Sequence, residues 1–169
     1  MKRYCSIRTP LGGMVALAEG DQLRGLWFTD QKYTPADAGK WLNDPDYPLF
    51  AELRRQLDAY FAGTLREFHL PLAPRGTLFQ MTIWELLRAI PPGTTTTYGA
   101  LARLAAERRE GRIPSAQAVG GAVGRNPIDI IIPCHRVIGA DGSLTGYAGG
   151  LHRKAALLAL ERGEGLPPT

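Results

Sequence analysis

Ile130-Ile131-Ile132-Pro133-Cys134-His135-Arg136-Val137 sets a thiol, an imidazole and a guanidinium side by side at the end of an aliphatic run. A thiol attacks as its thiolate, and neighbouring cations favour that form, so this order of residue types suits a cysteine nucleophile. Pro133 fixes its own φ and biases Ile132 towards extended backbone, which presents Cys134 at a defined angle. The aliphatic run reads as a buried strand or core segment. Cysteine is also a common small core residue, so on these eight residues both readings of Cys134 stand, with the flanks favouring the nucleophile.

Around this stretch the pattern is helical. Thr77 can cap a helix with Phe79, Ile83, Leu86, Leu87 and Ile90 on one face, ended by Pro91-Pro92-Gly93. Thr97 can cap a short helix from Tyr98 to about Ala106, and Ser115 another over residues 116–124, with a charged loop from Glu107 to Arg112 between them. Two short helices joined in this way are a helix-turn-helix candidate, although helix pairs that bind nothing share the pattern. The second helix is nearly bare, with Ala116, Ala118, Gly120, Gly121 and Ala122, and each of its glycines costs roughly 1 kcal/mol of helix propensity. A bare face admits another backbone closely, either a neighbouring helix or a nucleic-acid groove. Asn126-Pro127 ends it. Past the cysteine, Ala140-Asp141-Gly142-Ser143 reads as a hairpin-type turn. Gly146-Tyr147-Ala148-Gly149-Gly150 reads as a loop able to wrap a planar ligand, Leu151 to Leu160 as the last helix, and 163–169 as a frayed tail.

The first part of the chain reads differently. Tyr4 to Ile7, Met14 to Ala18 and Leu23 to Phe28, separated by turn residues, predict a three-stranded antiparallel meander. Residues 30–48 form an irregular connection around Trp41. Phe50, Leu53, Leu57, Tyr60 and Phe61 fall at helical spacing, and Gly63 closes that helix. Glu67 to Leu72 is expected as a further strand before Pro74-Arg75-Gly76. The reading is an α+β chain with an N-terminal α/β domain, 1–75, and a C-terminal helical domain, 76–169.

Composition bounds what these parts can do. With 169 residues, 44% of them hydrophobic, the chain can bury a core without staples. Two cysteines, Cys5 and Cys134, offer no disulfide framework and point to a reducing cytoplasm. Two Cys and three scattered His show no paired ligand spacing, so no metal and no other cofactor is expected. No window approaches the roughly 18 apolar residues of a membrane span, and the start has no apolar run of a signal peptide. The net charge is +4; residues 1–75 hold 10 Lys and Arg against 9 Asp and Glu, and 76–169 hold 10 against 7. That excess is consistent with a polyanionic partner and equally with an ordinary solvated surface.

Pro133-Cys134-His135-Arg136-Val137-Ile138-Gly139, then Thr145-Gly146-Tyr147-Ala148-Gly149-Gly150-Leu151 and a helix ending near Glu161, resemble the active-site block of the O6-alkylguanine-DNA alkyltransferases. Thr97-Tyr98-Gly99-Ala100-Leu101-Ala102 and Ala118-Val119-Gly120-Gly121-Ala122 extend the resemblance, in order, from Phe79 to Glu161. It covers about half of the chain closely and the N-terminal part in outline. It implies a ribonuclease H-like first domain and a winged-helix or helix-turn-helix element in the second.

By this resemblance Cys134 is the alkyl acceptor, His135 its base through a bridging water, Glu161 the carboxylate orienting the imidazole, and Tyr98 the proton donor to the departing purine. Each has a plain alternative: a core histidine, a solvent-facing helix-end carboxylate, a packing ring. Asn126 is implied to hold the turn into the active site, and Val137, Tyr147, Ala148 and Gly149 to line the base pocket. Ala148 stands where some relatives carry a hydroxyl. The helix with Ala116, Gln117, Ala118, Gly120, Val123 and Arg125 is implied to enter the minor groove, with Val123 read either as a wedge or as core. Gln117 departs from the family's usual arginine, and Arg108, Arg109 or Arg112 is expected to supply part of the missing contact.

The implied activity is the single-turnover repair of O6-alkylguanine, and of O4-alkylthymine, in double-stranded DNA by irreversible transfer to Cys134. The base must be flipped out of the stack to react. A monomer, acting alone or cooperatively along DNA, is the implied state. Two rival readings are a non-catalytic protein that flags alkylated DNA, disfavoured by Cys134, and a thiol-sensing helix-turn-helix regulator, disfavoured by the lack of an effector domain.

Overall fold

The computed structural model describes residues 1–31, 35 and 37–166. Part of the connection read over residues 30–48 and the end of the tail read over 163–169 therefore lie outside the described residues. The chain divides into two units, Met1–Arg75 and Gly76–Thr169.

In the first unit, β1 (Lys2–Thr9), β2 (Gly12–Glu19) and β3 (Gln22–Phe28) form the antiparallel meander. The register sets Cys5 opposite Ala16 opposite Leu26, and Ile7 opposite Met14 opposite Phe28, so one face of the sheet is continuously apolar. All six side chains are buried, and α1 (Pro48–Phe61) adds Phe50, Leu53 and Leu57 to the core. Among the described residues the sheet has a fourth member, β4 (Leu42–Asn43), which pairs parallel to β1 at the edge. Both of its residues are exposed, so it carries no alternation for a sequence pattern to reveal.

The strand expected over Glu67 to Leu72 is not formed. Only Leu72 bridges to Leu23, with Leu23 N donating to Pro71 O and Ala73 N to Leu23 O, each at 2.8 Å. Pro71 and Pro74 have no N–H to give a ladder. The buried Gln56 side chain instead serves both backbone groups of His69, at 2.8 and 2.9 Å.

The second unit is built from helices that start where their caps predict. Thr77 forms a complete capping box on α2 (Leu78–Arg88), Thr97 caps α3 (Tyr98–Glu107), and Ser115 caps α4 (Ala116–Gly124). Such caps contribute about 1 kcal/mol each. The three helices pack on one another through Ile83, Leu87, Leu101, Ala105 and Val119. Trp84 Nε1 donates to Ala122 O at 2.8 Å and ties α4 to α2. β5 (Thr96–Thr97) pairs parallel with β6 (Val137–Ile138), bringing the start of α3 beside the segment that follows Cys134. α5 (Leu151–Glu161) completes the unit.

Of the two readings of Ile130 to Ile132, the core segment holds and the strand does not: Ile131 N bonds to Asp129 O at 2.8 Å, Ile132 N to Ile128 O at 3.0 Å, and Ile130 sits at φ 72°. The chain turns there to deliver Cys134. The turn at Ala140 to Ser143 closes, with Gly139 N on Ser143 O at 2.9 Å, but no returning strand follows it among the described residues. No helix among the described residues is long and apolar enough to cross a membrane.

Candidate active site and nucleic-acid interface

Cys134 opens a single 3₁₀ turn, Cys134–Arg136, and is 5% exposed. Asn126, two residues beyond the end of α4, organises it. Its Nδ2 donates to Ile132 O at 2.7 Å and to Cys134 Sγ at 3.1 Å, while its Oδ1 accepts from Ile128 N at 2.9 Å. One amide thus fixes both ends of the turn and the sulfur.

The expected resting thiolate is not what this environment favours. Burial pushes the Cys134 thiol up to about 12, and the charge of Asp129 adds to that, against the Asn126 hydrogen bond and the charge of Lys154. The cations that follow Cys134 in sequence are committed elsewhere. Arg136 forks onto Glu161, Nε to Oε1 at 2.8 Å and a terminal nitrogen to Oε2 at 2.9 Å, and its other nitrogen reaches Ile90 O at 2.6 Å. Adjacency in sequence is not proximity of charge, and the thiol is neutral at rest.

His135 is 0% exposed, with Nε2 2.7 Å from Glu161 Oε2. Burial pulls its pKa down, outweighing the stabilisation of its cation by Glu161. A neutral imidazole facing a carboxylate carries its proton on that side, so Nε2–H donates and Nδ1 holds the lone pair. Nδ1 is buried without a hydrogen-bond partner among the described residues. Burial pushes Glu161 up, but hydrogen bonds from His135 and Arg136, and their charges, outweigh it and hold the carboxyl well below its usual range.

Tyr98, at the start of α3, lies with its hydroxyl 2.9 Å from Thr145 Oγ1 and its ring against Gly120 of α4. The loop from Thr145 to Gly150 is pinned by two buried cations of α5. Lys154 Nζ donates to Thr145 O at 2.7 Å, and Arg153 to Gly149 O at 2.9 Å. Within it the Tyr147 ring stands edge-on to His135, centroids 6.5 Å apart. Gly149 is buried and Ala148 exposed; Val137 is buried in β6. The structure therefore brings Asn126, Cys134, His135, Glu161, Tyr147 and Val137 into one neighbourhood.

Sequence reasoning missed Arg153, Lys154, Asp129 and Thr145 as parts of it, and set Arg136 beside the sulfur when its guanidinium serves Glu161. For Lys154 the signal was present: Lys154, Leu157, Leu158 and Glu161 share a helix face at i, i+3, i+4 and i+7, and a lysine on an apolar stripe is a buried lysine.

On α4, Ala116, Gln117, Ala118, Gly121 and Gly124 are exposed, as is Arg125 just past its end, and Gly120 is half-buried. Val119, Ala122 and Val123 face the core. Val123 is thus a packing residue, and its reading as a wedge is withdrawn. Of the loop arginines, Arg108 pairs with Glu85 at 3.1 Å, Arg109 lies over the Phe79 ring at 5.2 Å, and Arg112 Nε donates to Arg109 O at 3.2 Å. The outward surface is a smooth helix bordered by arginines, chemistry suited to a phosphate-lined groove.

Comparison with known proteins bears on both units. A family profile described as "6-O-methylguanine DNA methyltransferase, DNA binding domain" matches residues 78–163, and one described as "6-O-methylguanine DNA methyltransferase, ribonuclease-like domain" matches residues 2–74. The methylated-DNA–protein-cysteine methyltransferase of Mycobacterium leprae is 48% identical over 157 residues, 93% of this chain and 90% of the relative. That of Haemophilus influenzae is 41% identical over 160 residues, covering 94% and 86%. Among solved structures, Mycobacterium tuberculosis OGT in complex with DNA superposes with a TM-score of 0.84 at 43% identity, covering 97% of this chain and 95% of that one.

Proposed function

Because the chain belongs to the 6-O-methylguanine DNA methyltransferase family, we propose that it repairs DNA by moving the alkyl group of O6-alkylguanine onto Cys134. The observation that carries this reading is the continuous set Asn126, Cys134, His135 and Glu161: a donor on the sulfur, an imidazole with its lone pair free, and a carboxylate fixing the tautomer.

The chemistry follows from those groups. The His135 Nδ1 lone pair takes the Cys134 proton through a bridging water, and Glu161 balances the imidazolium that forms. The sulfur attacks the sp3 carbon in line, the S–C bond forming as the C–O6 bond breaks, and the pair of electrons leaves on the guanine. Tyr98 donates a proton to that purine, so no full anion departs. The product is a thioether, which no group in the site can expel. Each molecule acts once. A guanine within a duplex must leave the stack to reach the sulfur, and Tyr147, Ala148 and Gly149 form the wall it meets. α4 supplies the groove contact, its exposed alanines and glycines allowing close approach. The site requires no metal or organic cofactor for any of these steps.

The test is intact mass after incubation with free O6-benzylguanine, and in parallel with a duplex carrying the lesion. One added benzyl group, absent from Cys134→Ala, supports the reading. No adduct with either substrate overturns it and favours a protein that only binds alkylated DNA.

A further inference from the structure

Tyr98 and Thr145 are 47 positions apart in the chain, yet their hydroxyl oxygens meet at 2.9 Å. The approach is fixed from both sides. Tyr98 is the first residue of α3, and the pairing of Thr96 with Val137 and Thr97 with Ile138 sets that helix start beside the segment that follows Cys134. Its ring lies along α4, 3.9 Å from where a side chain on Gly120 would begin. Thr145 stands at the head of the loop pinned by α5, where the fully buried Lys154 donates to its carbonyl at 2.7 Å. That bond holds the threonine backbone against the core while its hydroxyl is turned to the tyrosine.

A phenolic hydroxyl has one proton to give and lone pairs that accept. In the steps set out above Tyr98 passes that proton to the departing purine, so negative charge develops on its oxygen as the C–O6 bond breaks. A donor already aimed at an oxygen where charge develops stabilises the transition state, because nothing must reorganise at the moment of reaction. Either hydroxyl of the pair can be the donor. Once the Tyr98 proton points at the purine, rotation of the Thr145 hydroxyl puts its own proton on the phenolic oxygen.

We propose that Thr145 is a positioning residue for the leaving-group step: its hydroxyl, anchored through the Lys154 bond to its carbonyl, donates to Tyr98 and steadies the phenolate that forms as the purine is protonated. The Tyr98 O–H bond breaks and a purine N–H bond forms, while Thr145 keeps its proton throughout. His135 has by then taken one proton from Cys134, and return of that proton to Tyr98 through solvent restores both groups.

This inference rests on Tyr98 as the proton donor in transfer to Cys134, and the experiment separates the two. Single-turnover rates with free O6-benzylguanine are measured by intact mass for the full-length protein, Thr145→Val, Thr145→Ser, Tyr98→Phe and the double variant Thr145→Val with Tyr98→Phe. Thr145→Val should be slower by about tenfold, the effect of one hydrogen bond to a group acquiring charge, and Thr145→Ser, which keeps the hydroxyl, should recover most of the rate. In the Tyr98→Phe background Thr145→Val should have no further effect, since the oxygen it serves is gone. Benzyl chloride adds a readout that loss of structure would not spare: its chloride leaves without a proton, so Thr145→Val should slow benzylation of Cys134 by this reagent less than transfer from O6-benzylguanine.

A Thr145→Val rate equal to wild type, a serine variant as slow as the valine one, an undiminished effect in the Tyr98→Phe background, or equal slowing with both reagents overturns the role of Thr145 and leaves the transfer reading intact. A Tyr98→Phe rate equal to wild type removes the proton donor and this proposal with it. No transfer by the wild type overturns everything above. Should Thr145→Val not fold, Thr145→Ala enters the same cycle with the same expected outcomes.

Discussion

Asn126 Nδ2 stands 3.1 Å from Cys134 Sγ and 2.7 Å from the Ile132 carbonyl, so one amide group both shapes the turn and donates to the sulfur that must become charged. Hydrogen bonds to charged groups contribute about 1.5–3 kcal/mol. Asn126→Ala should therefore slow single-turnover transfer from free O6-benzylguanine by roughly 10- to 100-fold. Using the free base removes DNA handling from the readout. A variant that transfers at the wild-type rate would show that the amide serves the fold alone.

Glu161 holds two buried partners at once, the neutral His135 imidazole and the Arg136 guanidinium. Glu161→Gln leaves the Arg136 guanidinium buried without its counter-charge, and breaking such a pair costs about 3–5 kcal/mol; the melting temperature should fall accordingly. The same carboxyl sets an acid limit. Because its folded pKa is depressed, the stability it contributes is full above the unfolded value near 4.3 and is lost as pH falls through the folded one. Denaturant unfolding followed from pH 6 down to pH 2 should show this loss in the wild type and a flatter dependence in Glu161→Gln. Equal slopes would mean that other carboxylates dominate.

Gln117 is exposed on α4. Gln117→Arg should accelerate repair of a lesion in duplex DNA while leaving reaction with free O6-benzylguanine unchanged. Acceleration of both equally would place the effect in the chemistry. A companion change, Arg112→Gln, should reduce the salt slope of DNA binding by about one, the share of a single phosphate contact.

Gly121 is exposed in the middle of α4, and a methyl group there would meet nothing within 4 Å. By helix propensity alone Gly121→Ala should stabilise the protein by up to about 1 kcal/mol. On a surface pressed against a groove the added methyl should weaken DNA binding severalfold. Higher melting temperature with undiminished affinity would move the interface off this face.

What the sequence disclosed and what it hid have different physical origins. Thr77, Thr97 and Ser115 announced helix starts because capping is a local hydrogen-bonding rule. The apolar alternation of β1 to β3 announced the meander for the same kind of reason. β4 and the segment from Glu67 to Leu72 escaped, since a two-residue exposed edge and a proline-interrupted stretch satisfy no periodic template. Within the site, Cys134 and His135 are legible as neighbours, whereas Glu161 came only from resemblance, because a separation of this length is closed by packing of α5 and not by spacing. The electrostatics were the least legible: Arg136 beside Cys134 suggested an ionised sulfur, and it took the fork onto Glu161 to show where that charge goes.

The depth of Cys134 has a meaning for a protein that can be used once. Oxidation by peroxides and capture by stray electrophiles both follow exposure and thiolate character, and a protonated sulfur enclosed by its neighbours offers little of either. The seclusion that makes ionisation difficult thereby preserves the sacrificial atom against wasteful encounters, so that copies still able to act persist until damage arises.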